Sequence, residues 1–204
     1  MERLAYMISD FFIRKNIIEE KQREICRYGY EVILSTILGG LLVIGISLLV
    51  GQLEAGIIFL LIFSSVRKFC GGYHADSYIK CNLVLILVLL VYLGIIRMML
   101  SDNPTVPVMC VMMYLLYMAC IIAYAPIDNE NKRLSGYEKI KYRRISLIIG
   151  VIVGMVSAIL YIVKKEYAIM IIVTIFLVTI LMVIQVKRRD CDEPDIKGDG
   201  KAGT

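Results

Sequence analysis

Residues 167–186 read YAIMIIVTIFLVTILMVIQV, with no Asp, Glu, Lys, Arg or His. Lys164, Lys165 and Glu166 close the run on one side; Lys187, Arg188 and Arg189 close it on the other. A helix rises about 1.5 Å per residue, so this run covers about 30 Å, the thickness of a hydrocarbon core. It shows no period-two alternation, which argues against a strand of a membrane barrel. Working outward, residues 32–50, 82–100, 106–124 and 145–163 are apolar tracts of similar length. Residues 55–66 form a shorter one, giving about 18 Å of helix, so it is either a short tilted span or a re-entrant segment.

The rest of the composition agrees with an all-α, polytopic membrane protein of about six transmembrane helices. Of 204 residues, 59% are hydrophobic and 20% charged, and the charges cluster between the apolar tracts. A mean hydropathy of +0.75 excludes a soluble enzyme, a disulfide-rich secreted module and a nucleic-acid-binding domain. The net charge of +5 needs no anionic partner, because membrane proteins keep Lys and Arg on their cytoplasmic side.

Those charges give an orientation. Connection 67–81 holds Arg67, Lys68 and Lys80, and connection 125–144 holds Lys132, Arg133, Lys139, Lys141, Arg143 and Arg144. Connections 51–54 and 101–105 hold no Lys or Arg, and only Lys164 and Lys165 dissent, beside Glu166. Six crossings with both termini in the cytoplasm place every other basic cluster there. A re-entrant 55–66 would move every later connection to the opposite side, so six crossings are preferred.

Residues 1–190 read as one membrane-embedded domain. Its first 31 residues lack the apolar core of a secretory signal. Leu4, Ile8, Phe11, Ile18 and Ile25 recur among charges at helical intervals, the pattern of an amphipathic interfacial helix that serves as an anchor or contacts substrate. Residues 191–204, rich in Gly, Asp and Lys, read as a flexible cytoplasmic tail.

The chemistry concentrates in residues 67–81, RKFCGGYHADSYIKC, which hold the chain's one histidine and two of its six cysteines. Cysteine attacks as a thiolate, and a free thiol with a pKa of about 8.5 is little ionised at neutral pH. An imidazole beside it can take the proton and later return it to a leaving amine. Arg67, Lys68 and Lys80 add positive potential. Gly71 and Gly72 allow a substrate backbone to come close, and their N–H groups are candidate oxyanion donors.

Spacing sets a condition on His74 and Cys81. On one continuous helix they would lie about 10.5 Å apart along the axis, too far for a hydrogen bond. A dyad therefore requires His74 in a loop folded back over the next helix, capped by Asp76 or Ser77, or a contact between subunits. Cys70 is a rival nucleophile, and Cys81 could instead be a small buried hydrophobe, as Cys110 and Cys120 read. Cys26 and Cys191 face a reducing compartment and need form no disulfide. One His and two Cys lack a fourth ligand for zinc, so no metal or other cofactor is expected. Arg97, near a span end, can snorkel to the interface.

Arg67, Gly72, His74 and Cys81 together resemble the signature of the AgrB family (accessory gene regulator protein B), bacterial membrane peptidases whose Cys follows their His by seven residues. Residues 125–134, APIDNENKRL, are similar to the Ala-Pro…Asn-Lys segment that the family carries after its fourth span. Length, hydropathy profile and amphipathic N-terminus agree, so the resemblance covers almost the whole chain. It implies a cysteine endopeptidase that cuts an AgrD-like precursor on the C-terminal side of a future quorum-sensing peptide. Cys81 would be the nucleophile and His74 the general base and acid, with Arg67 and Gly72, next to Gly71, supporting the site. The acyl group would pass to the enzyme as a thioester, then to a residue inside the peptide, usually a Cys, closing a thiolactone ring.

Thioester exchange keeps most of the acyl activation that hydrolysis would discard, provided water is excluded and the peptide thiol is held near the acyl carbon. The basic loop has two readings. Lys132 and Arg133 either fix topology alone or bind the acidic C-terminal part of the precursor. A homodimer is compatible with both the resemblance and the His–Cys spacing. The competing reading is a non-enzymatic transporter or assembly subunit in which His74 and Cys81 are incidental. Transporters usually carry broken helices and midplane charges, whereas the polar clusters here lie at span edges.

Overall fold

The computed structural model describes residues 2–15, 19–70, 78–101, 103–125 and 136–192, and their regular structure is entirely helical. Seven α-helices follow in order: α1 (Glu2–Arg14), α2 (Arg23–Leu49), α3 (Leu53–Cys70), α4 (Tyr78–Met99), α5 (Val106–Tyr124), α6 (Gly136–Val163) and α7 (Lys165–Asp192). A single 3-10 turn, Glu20–Gln22, precedes α2.

The N-terminal region differs from the one interfacial helix expected over residues 1–31. The helix stops at Arg14, and α1 packs against the start of α2. The Arg23 guanidinium lies 2.7 Å from the Asp10 carboxylate and 5.6 Å from the centre of the Tyr6 ring. Phe12 stacks on Tyr30 at 5.8 Å. Ala5 and Ser9 are buried, while Leu4, Met7 and Phe11 remain exposed. That second face is the one an interfacial helix gives to lipid. Residues 23–31 belong to the first spanning helix instead.

The α2–α3 connection is tight. Gly51 has φ +73°, the left-handed conformation that ends many helices and that glycine adopts without steric cost. One turn into α3, a Cβ on Gly56 would collide with Ser47 on α2, so the two helices meet there at backbone distance.

Five helical segments are long and apolar enough to cross a membrane: Glu20–Leu49, Ile79–Met99, Val106–Tyr124, Tyr137–Val163 and Lys165–Arg188. The segment expected over 55–66 is longer than its apolar run. α3 has 18 residues, and it carries Glu54 in its first turn with Arg67 and Lys68 in its last. That length gives about 27 Å of helix. Its contacts reach both ends of the bundle. Near its start, Glu54 accepts a hydrogen bond from the Tyr167 hydroxyl at 3.1 Å, at the beginning of α7. At its end, the Phe69 carbonyl accepts one from Ser146 Oγ at 3.0 Å, in the first half of α6.

α7 is the central helix and packs against α3, α4, α5 and α6. Residues 168–175 of it are buried without interruption. Beside it, the buried Tyr92 hydroxyl donates to the Ala55 carbonyl at 3.0 Å, and the Tyr92 ring lies 4.8 Å from that of Phe59. Outward faces are apolar too: Leu49 and Ile162 are each 88% exposed. Such a surface is stable against lipid and would aggregate in water. The chain is a polytopic, multi-pass membrane protein.

Candidate active site

The packing gathers the basic residues at one end of the bundle. The last turn of α3 brings Arg67 and Lys68, and the first turn of α4 brings Lys80 and Cys81. The start of α6 brings Lys139, Lys141, Arg143 and Arg144. α6 also caps its neighbours. Ser146 Oγ donates to the Phe69 carbonyl of α3, and Arg143 Nη2 donates at 2.9 Å to the Ile122 carbonyl in the last turn of α5, where intrahelical donors run out. The rings of Phe69 and Tyr142 lie 6.4 Å apart at the same junction.

Of the residues expected at the site, the structure describes Arg67 and Cys81. Both lie at this end, on successive helices. His74, Gly71, Gly72, Lys132 and Arg133 lie outside the described residues, as does the side chain of Cys70. The Arg67 guanidinium sits 5.4 Å from the centre of the Phe63 ring, a cation–π contact within its own helix. Both Arg67 and Lys80 are engaged in further polar or ring contacts.

Cys81 is a free, half-buried thiol in the first turn of α4. It continues the inward stripe of that helix through Leu85, Val88, Leu89, Tyr92 and Ile96. The residue is thus partly packed against the bundle and partly exposed. Cys110 is buried within α5, and Cys26 lies on α2 between Arg23 and Tyr30, which both contact α1.

Two further polar groups near this end were not singled out by the sequence. Glu31 on α2 is buried, with Oε1 making no hydrogen bond and lying 3.6 Å from Arg27 Nε. Gln185 on α7 has a buried Oε1 that also accepts no hydrogen bond. At the edge of an apolar tract both look like ordinary solvated residues, and only packing reveals Glu31 as buried and the Gln185 Oε1 as shielded. Among the described residues, no group of three His, Cys, Asp or Glu could hold a metal ion.

A family model described as Accessory gene regulator B matches residues 5–184, nearly the whole chain. The chain belongs to the accessory gene regulator B family. An AgrB-like protein of Clostridium perfringens is 23% identical over 144 residues, covering 69% of this chain and 67% of that one. An AgrB-like protein of Halalkalibacterium halodurans is 31% identical over 87 residues, covering 43% and 44%. No solved structure matches. AgrB membership implies a membrane peptidase that processes an AgrD precursor, which makes that peptide the partner.

Proposed function

We propose that the chain is a membrane cysteine endopeptidase in which Cys81 attacks an AgrD-like precursor at the C-terminal end of the future signal. The observation that carries this reading is the position of Cys81: a free, half-exposed thiol on the first turn of α4, next in the bundle to the basic last turn of α3. His74 takes the thiol proton as sulfur bonds to the carbonyl carbon. It then passes that proton to the departing amine as the C–N bond breaks. Backbone N–H groups near Gly71 and Gly72 stabilise the intervening oxyanion. The thioester is resolved when a thiol of the bound peptide attacks the same carbonyl, releasing Cys81 and closing a thiolactone.

Seven positions separate His74 from Cys81 in the sequence, so a non-helical connection lets the imidazole meet Cys81 within one chain. Six crossings with the basic end in the cytoplasm put the site where a newly made precursor arrives and satisfy the positive-inside bias.

Co-expression with a tagged precursor tests the reading. Wild type is expected to yield a shortened precursor and a trapped acyl-enzyme. Cys81→Ala and His74→Ala yield neither, and chelators have no effect. Cleavage surviving Cys81→Ala would overturn it. In the same reading, Lys132 and Arg133 hold the acidic C-terminal part of the precursor. Reversing both charges to Glu is expected to cut cleavage about tenfold at low salt while the protein still inserts, and the difference should shrink as salt screens the contact.

A further inference from the structure

Gln185 carries an unmet requirement. Its buried Oε1 accepts no hydrogen bond among the described residues, and a buried acceptor without a donor is destabilising. A donor is therefore expected from something that binds there.

The register of α4 against α7 identifies what lies opposite. Met99, at the end of α4, lines one cleft with Lys165 and Ile169 at the start of α7, so the two helices run antiparallel. Further in, the Tyr92 side chain lies beside that of Thr174. Continuing inward by equal steps, from 92 to 81 on α4 and from 174 to 185 on α7, leads to Cys81 and Gln185. Each step is about three helical turns, about 16.5 Å, and returns to within about 20° of the same face. Cys81 thus shares the face of Tyr92, and Gln185 shares the face of Thr174. Both reach the same depth at the basic end of the bundle.

We propose that the Gln185 carboxamide binds the backbone of the precursor beside the bond that Cys81 attacks. Oε1 accepts the N–H of a residue flanking the scissile carbonyl, and Nε2 donates to a neighbouring peptide carbonyl. A carboxamide has the donor and acceptor of a peptide group, so it pairs with backbone whatever the side chains are. This role rests on Cys81 being the nucleophile. Gln185 is a positioning residue: its contact exists before and during the reaction, so its loss raises KM and leaves kcat nearly unchanged.

The test uses the full-length protein in proteoliposomes with a synthetic precursor. Gln185→Leu is expected to raise KM about tenfold, the equivalent of about one backbone hydrogen-bond pair, with kcat within about threefold. Alkylation of Cys81 by iodoacetamide should proceed at the wild-type rate, and Gln185→Glu, which keeps the acceptor, should recover part of the loss. An unchanged KM in Gln185→Leu, with Cys81→Ala inactive, would sink the role of Gln185 and leave the proposed activity standing. Cleavage by Cys81→Ala would bring both down. If Gln185→Leu does not insert, Gln185→Cys is made in a chain whose other cysteines, Cys81 excepted, are Ser. A bismaleimide matching an interhelical spacing of about 8–10 Å should link positions 185 and 81, and absence of the link overturns the proposal.

Discussion

Ser146 shows how a single hydroxyl prepares the site without joining the chemistry. It is fully buried and bonds the Phe69 carbonyl, one residue before the end of α3 and two after Arg67. Removing it takes away a hydrogen bond worth about 1 kcal/mol and loosens the contact that holds the turn carrying Arg67 against α6. Ser146→Ala should therefore lower the thermal unfolding midpoint in detergent and reduce precursor cleavage severalfold. Ser146→Thr, which keeps the hydroxyl, should restore most of both. A Ser146→Ala protein with lowered stability and unchanged cleavage would show that the end of α3 does not matter to the reaction.

The elements differ in how far their sequences declare them. α5 occupies the apolar run 106–124 itself, because Pro104 and Pro107 mark its start and Ala125-Pro126 its end. α3 outruns its apolar tract because Arg67 and Lys68 suit the negative end of a helix dipole and do not interrupt it. α2 and α6 extend into charged sequence for a related reason: nothing there breaks a helix. The stop after α1 has no Gly or Pro to announce it and is explained by tertiary contacts, chiefly Asp10 with Arg23. Cys81 could be singled out because a thiol near a lone histidine is rare chemistry. Gln185 and Glu31 could not, since burial at a span edge depends on which helix lies opposite. The α1 contact can be tested as an element. Arg23→Asp should loosen α1, raising the proteolytic sensitivity of residues near Arg14, and adding Asp10→Arg should reverse most of the effect. A half-exposed pair is worth about 1 kcal/mol or less, so the shift should be a few-fold in cleavage rate. Equal sensitivity in wild type and Arg23→Asp would assign the fold-back to Tyr6, Phe12 and Tyr30 instead.

At the scale of the molecule, helices from distant parts of the sequence converge on one end. α3 and α4 bring Arg67 and Cys81, α6 caps α3 and α5, and α7 brings Gln185. A dyad within one chain needs no partner copy, whereas a dyad shared between copies would need an interface at that same end. The two arrangements give opposite results when inactive variants are mixed. If His74 and Cys81 act within one chain, co-expressing His74→Ala with Cys81→Ala restores no cleavage, because each copy lacks one half of its own dyad. If they act across a homodimer, one of the two sites in each mixed dimer holds both residues, and random pairing makes half of the dimers mixed, so about a quarter of wild-type cleavage should return. The proposed dyad within one chain expects the first result. Recovery near a quarter, with both variants present at wild-type levels, would move the dyad to the subunit boundary.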